Sequence, residues 1–299
     1  MSKRIFALPI IIMSMLFFGG AINLNNNKMT AYNFSKPDLS LILPDILHEV
    51  SGITYINPTT IACVQDELGI IFIYDFVEGK IKRQLLFGDD GDYEGITKVG
   101  NSLYVLRSDG DLYEISDFES NKFKVKFYST GISAKDNEGL CYDEQNNRLL
   151  IACKSNISKG SEFKDKRVIY GFDLNSKKLY KSPAFYFDIH VIYDFMIKNK
   201  IHIATKTKKK SGSTEPNLKF RTSAIAINPI SKKLFLLSAT DHLLFIFNVD
   251  GKVEHIEQLN PKLFNKAEGI TFLENGDLII SNEGENNKPT LLLFNYKKL

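Results

Sequence analysis

Glu-Gly followed by an apolar residue occurs three times along the chain, as Glu94-Gly95-Ile96, Glu138-Gly139-Leu140 and Glu268-Gly269-Ile270. A second set of carboxylates keeps step with them. Asp66, Asp109 and Glu283 each lie 14 residues after a motif glycine, Gly52, Gly95 or Gly269. Carboxylates at one position of a repeat converge when the repeats surround an axis, and like charges so gathered call for a cation. An oxygen-only donor set selects calcium over zinc. The same residues also have a local use, since Glu bonds backbone N–H groups where a strand begins and Gly serves the turn. Arg107 and Lys154 follow apolar runs and are candidates for gripping an anionic ligand group, or for pairing with the nearby carboxylates. His242 falls beside the same positions and is a candidate ligand-binding residue or base, with a solvated surface role as the alternative. No Gly-x-Ser-x-Gly elbow, His-Glu-x-x-His or phosphate loop occurs.

The elements that must position these groups follow from the repeat. Ser51-Gly52-Ile53 and Ser223-Ala224-Ile225 complete the series, so the small motif residues at 52, 95, 139, 224 and 269 are 43, 44, 85 and 45 apart. After each motif come a turn, a second apolar run such as Leu103–Leu106 or Leu149–Cys153, and a third such as Leu112–Ile115. Short apolar runs between turn residues, repeated every 40-odd residues, predict antiparallel meanders arranged as propeller blades. The expected fold class is all-β, a single five-bladed β-propeller. The 85-residue interval leaves six blades as the alternative. Polar stretches at Ser155–Lys166 and Lys206–Asn217 favour insertions there, and Ile189–Ile203 reads equally as a helix or a hairpin. The last repeat ends before a fourth strand, so the segment Tyr32–Leu43 is expected to pair with Leu291–Phe294 and close the ring.

Residues 1–21 read as a signal peptide. Lys3 and Arg4 precede the apolar stretch Ile5–Phe18, and Gly19-Gly20-Ala21 suits cleavage after Ala21. Residues 22–31 form an Asn-rich linker expected to be disordered, and 32–299 the propeller. The expected location is outside the cytoplasm, in the periplasm, at the cell surface or secreted, with membrane contact only through the signal. The formal charge of +3 falls to +1 without Lys3 and Arg4. A nearly neutral chain argues against nucleic acid as a partner. Cys63, Cys141 and Cys153 match no zinc spacing. They read as buried thiols, with a Cys141–Cys153 bridge as the alternative.

The motifs Glu49-Val50-Ser51-Gly52, Gly91-Asp92-Tyr93-Glu94-Gly95-Ile96, Glu138-Gly139-Leu140, Leu149–Lys154, Leu236-Leu237-Ser238-Ala239 and Ala267–Ile270 together resemble the SdiA-regulated, YjiK-like family of exported bacterial propellers. The resemblance spans about Tyr32 to Tyr296. It implies a five-bladed ring, distantly similar to NHL-repeat and phytase-like propellers, with a calcium site and no established reaction. Ser223-Ala224 departs from the Glu-Gly pattern, so one blade lacks the carboxylate. The expected role is a calcium-containing monomeric module that binds a small-molecule or peptide ligand. The alternative is a calcium-dependent hydrolase of esterase, lactonase or phytase type.

Overall fold

The computed structural model describes residues 31–298 apart from 135, 155–162, 164, 208–211 and 213. The expected signal, most of the linker and most of the 155–166 insertion lie outside the described residues. The described residues start with strand β1 (Leu39–Ile42) and then build five blade sheets in succession. Blade 1 is β2 (Val50–Asn57), β3 (Thr60–Gln65), β4 (Ile70–Asp75) and β5 (Lys80–Leu86). Blade 2 is β6 (Tyr93–Val99), β7 (Ser102–Arg107), β8 (Leu112–Ser116) and β9 (Lys124–Tyr128). Blade 3 is β10 (Asn137–Asp143), β11 (Arg148–Cys153) and β12 (Lys166–Asp173), with β13 (Lys178–Leu179) and β14 (Phe185–Asp188) both against the outer side of β12. Helix α1 (Ile189–Lys198) and the hairpin β15 (Thr205–Thr207) with β16 (Thr214–Pro216) follow. Blade 4 is β17 (Ala224–Ile227), β18 (Leu234–Ser238), β19 (Leu243–Phe247) and β20 (Val253–Gln258). Blade 5 is β21 (Ala267–Phe272), β22 (Leu278–Asn282) and β23 (Thr290–Phe294), completed by β1.

The ring is therefore five-bladed, and the long interval holds an insertion. Ile189–Ile203 resolves its ambiguity as α1, which Asp188 caps by accepting the His190 N–H at 2.9 Å. Its buried face, Ile189, Ile192 and Met196, packs into the core cluster that blades 3 and 4 share. The polar Lys206–Asn217 stretch, expected as an insertion, carries most of the β15–β16 pairing. The expected pairing closes the ring, with the register running from Leu39 opposite Leu293 to Ile42 opposite Thr290. Buried Tyr32 fixes the preceding segment, donating to the Gly276 carbonyl at 2.6 Å and accepting from Asn228 at 2.7 Å. All three cysteines are buried free thiols, since Cys141 pairs with Leu150 and Cys153 with Asn137 across the hairpin.

The Gly-apolar half of the motif has a packing cause. The innermost strands β2, β6, β10, β17 and β21 sit side by side around the axis. A Cβ on Gly95 would lie 2.8 Å from the Leu140 Cβ, one on Gly139 3.0 Å from Ile225, and one on Gly269 3.0 Å from Ile53. Each glycine is thus a socket for the apolar residue that follows the motif of the next blade. Ile53, Ile96, Leu140, Ile225 and Ile270 are all buried by this arrangement. Together they line the narrow axial cavity on the Glu side and a vestibule of about 430 Å³ at the opposite end. That apolar ring floors the carboxylate side and sets its low-dielectric surroundings.

A carboxylate mouth at the ring axis

Four of the five innermost strands begin with a β-bulge. The ladder shifts register between Val50 and Gly52, Tyr93 and Gly95, Asn137 and Gly139, and Ala267 and Gly269. The residue left over in each case is Ser51, Glu94, Glu138 or Glu268. A bulge re-aims the side chain it carries, and here the four bulged residues line one axial cavity. Blade 4 has no such shift. Its Ser223 N–H bonds the Leu237 carbonyl at 2.9 Å, and its hydroxyl donates to the Ala267 carbonyl at 2.7 Å.

Burial and mutual repulsion dominate the electrostatics. Glu94 is pushed up to about 9, by burial first, then by Glu138 and by a hydrogen bond with Asp92. Burial and Glu138 push Glu268 up to about 8, against the opposing pull of Lys266 and Lys154. Glu138 is 3% exposed and rises to about 7, by burial, although Lys154 pairs with its Oε1. Its Oε2 has no hydrogen-bond partner. Burial works against the charge on Lys154, yet Glu138, Glu268 and Glu94 hold its pKa above the ordinary value. Lys266 pairs with Glu283 and lies 3.9 Å from Glu268. Asp66 rises to about 6 through burial and the charges of Glu49, Glu283, Glu67 and Asp92, and its Oδ1 also lacks a partner. In these side-chain positions, no group of three or more Asp, Glu, His or Cys among the described residues closes on one point at metal-holding distance.

The rim above the bulges is built from one backbone contact repeated in four blades. Asp66 N–H bonds the Glu49 carbonyl at 3.4 Å, Ser108 that of Asp92 at 2.9 Å, Lys154 that of Asp136 at 2.7 Å and Glu283 that of Lys266 at 2.9 Å. Asp66, Lys154 and Glu283 are therefore equivalent positions, and in blade 2 that position is Ser108. Asp109, expected there from its count of 14, is not brought to the mouth. Gly95 pairs with Leu106 while Gly52 pairs with Val64, so the hairpin of blade 2 is one residue shorter and the rim position falls at Ser108. Asp109 instead turns outward and takes a fork from Arg107, at 3.0–3.1 Å from Nε and 2.7 Å from a terminal nitrogen, which holds its carboxyl below the usual range. Arg107 is spent there, also reaching Asp111 at 3.1 Å and the Tyr113 hydroxyl at 3.1 Å. It occupies the register position of Cys153, one before Lys154, and consecutive strand residues point to opposite sides.

Lys154 and His242 do line the mouth. They share a cavity of about 320 Å³ with Glu138, Glu268, Arg221, Lys266 and Glu285. His242 sits in the left-handed region at φ 50°, with Nδ1 3.2 Å from the Phe264 carbonyl. Arg221 and Lys266 were absent from the sequence-based site. Both stand two residues before the motif residue, the place of Glu49, Asp92 and Asp136, and a charge at that place in all five repeats was a readable signal.

The chain is a β-propeller. Its fold is similar to glutaminyl cyclase from Myxococcus xanthus, with a TM-score of 0.53 and 12% identity over 87% of this chain and 95% of that one. A chain of a nidogen/laminin complex matches at TM-score 0.48 and 12% identity, covering 78% of this chain and 72% of that one. Virginiamycin B lyase from Staphylococcus aureus matches at 0.44 and 14%, covering 84% and 69%. Identities this low speak to the fold alone. No protein-family model matches the chain, and no curated protein matches it. No described helix is long and apolar enough to cross a membrane.

Proposed function

We propose that this chain is an exported, YjiK-like binding module whose axial mouth holds a cation, calcium before others, beside a small-molecule or peptide ligand. The observation that carries the reading is the set Glu94, Glu138 and Glu268: three carboxyls from three blades, Glu138 buried and the other two half-buried, each raised, with one oxygen of Glu138 unpartnered. Burying charge without a counter-ion is costly, and an oxygen-ligated divalent ion removes that cost. The donor chemistry fits calcium; Glu94 and Glu268 would have to swing toward Glu138, since the side chains as they stand do not close on one point. Glu94, Glu138 and Glu268 would hold the ion, with Asp66 and Glu283 on the rim. When bound, the ion supplies positive charge at the floor of the mouth. Lys154 orients Glu138, and the apolar ring beneath excludes water. Support for export is the Lys3-Arg4, apolar-run and Ala21 pattern, and support for the family is the set of motifs from Glu49 to Ile270.

One observation favours a second reading, a calcium-dependent hydrolase. The Phe264 carbonyl can only accept, so Nδ1 of neutral His242 carries the proton and Nε2 keeps the lone pair of a base. Thermal melts with chelator, calcium and magnesium test the first reading for wild type, Glu138→Gln and Glu268→Gln. Calcium should raise Tm in the wild type, magnesium less, and both variants should respond weakly. A wild-type melt indifferent to calcium would remove the cation. Calcium-dependent cleavage of an ester, lactone or phosphate ester that His242→Gln abolishes would favour the hydrolase.

A further inference from the structure

We infer that blade 4 is the anion-binding wall of this mouth, with Arg221 gripping a carboxylate presented by the ligand. The inference rests on the mouth being a ligand site but not on the cation. Its basis is the break in the repeat. At the rim and bulge positions blade 1 presents Glu49 and Asp66, blade 2 Asp92 and Glu94, blade 3 Asp136, Glu138 and Lys154, and blade 5 Lys266, Glu268 and Glu283, so each of these blades brings at least two carboxylates. Blade 4 presents Arg221, Ser223 and Ala239 in the same places, with no carboxylate. The 320 Å³ cavity opens on this side of the mouth and includes Arg221, Ser223, Ala239 and Thr240.

Arg221 is both available and held in place. Lys154 is engaged by Glu138 and Lys266 by Glu283, whereas no carboxylate among the described residues pairs with Arg221. The chain leading to it is clamped from both sides. Buried Arg167 donates from Nε to the Phe220 carbonyl at 3.1 Å and from a terminal nitrogen to the Lys219 carbonyl at 2.8 Å. Asp241 accepts the Lys219 and Phe220 N–H groups at 2.9 and 2.8 Å. Phe220 between them is fully buried with φ 45°, a conformation kept only where its surroundings dictate it. Arg221 therefore leaves a rigid segment, and a planar fork on a fixed base suits a carboxylate.

A single free guanidinium beside Glu138, Glu268 and Glu285 matches one negative charge better than two. That charge match favours a carboxylate over a phosphate dianion.

The test titrates succinate and, separately, inorganic phosphate into the full chain by calorimetry, for wild type, Arg221→Gln and Arg221→Lys. The calcium response of the melt is recorded for each. Arg221 is exposed, so both variants should fold. Succinate should bind the wild type more tightly than phosphate does. Arg221→Gln should weaken it by about tenfold or more, and Arg221→Lys, which keeps charge but loses the fork, by less. The calcium response should be unchanged. No succinate binding to the wild type, equal binding to Arg221→Gln, or preference for phosphate would overturn the inference. Loss of the calcium response alone, with Arg221-dependent succinate binding intact, would sink the cation and leave blade 4 as the anion wall.

Discussion

Replacing Glu268 with Gln should stabilise the metal-free protein at alkaline pH and leave it unchanged at acid pH. Glu268 has an ordinary pKa of 4.5 and is pushed up to about 8 by burial and Glu138, opposed by Lys266 and Lys154, with Glu283 adding repulsion. The sign follows from proton counting. Below pH 4.5 the group is protonated in both states and contributes nothing. Between 4.5 and about 8 the unfolded chain loses the proton and the folded one keeps it, so stability falls as pH rises. At about 1.4 kcal/mol per pH unit the full penalty is roughly 5 kcal/mol, a large part of the 5–15 kcal/mol typical of a domain, to order of magnitude. An amide of nearly the same volume removes the ionisation cost but loses the contact with Lys266 at 3.9 Å. A net gain of roughly 2–3 kcal/mol at pH 8.5 remains, about 5–10 °C in Tm. The assay is a pair of thermal melts with chelator, wild type and Glu268→Gln, from pH 4 to 9. The readout is their difference, which cancels other titrating groups. A variant that melts no higher than wild type at pH 8.5, or a difference that does not vary with pH, would refute the burial argument. Saturating calcium should raise wild type above the variant.

A chain beginning at Leu47 loses β1 and Tyr32, exposing the edge of β23. Its melt should fall as one cooperative transition well below that of the full chain, and an unchanged Tm would contradict closure by pairing. Gly95→Ala places a Cβ 2.8 Å from that of Leu140 and 3.2 Å from the Glu138 carbonyl, for a cost of about 1–3 kcal/mol by denaturant titration. Asp109→Ala should leave the calcium response of the melt intact, because its carboxylate serves Arg107.

The blade count, strand succession and closing strand were legible because short apolar runs, turn residues and a small residue before an apolar one, glycine in four blades and Ala224 in the fifth, all report local packing that recurs five times. Glu94, Glu138 and Glu268 were legible for the same reason. Counting along the chain failed at Asp109, because one residue more or less in a hairpin turns a side chain to the other side of a strand. Arg107 failed likewise, one place short of the position Lys154 occupies. Arg221 and Lys266 were not legible in that way because the repeat keeps a charge at that place but changes its sign, from Glu49 and Asp92 to Arg221 and Lys266, so no residue type recurs there. The clamp of Arg167 and Asp241 around Phe220 joins residues about 50 and 20 positions away, a distance no local pattern encodes.

Calorimetric titration of calcium into the metal-free protein at pH 7.5, repeated in buffers of different ionisation enthalpy, measures both binding and proton release. Glu94 and Glu268 hold protons at that pH, and Glu138 part of one, so calcium should bind with release of one or more protons. Glu138→Gln should bind more weakly and release fewer. Binding heat that is independent of buffer, or no binding at all, would contradict the exchange of protons for a cation at the carboxylate mouth.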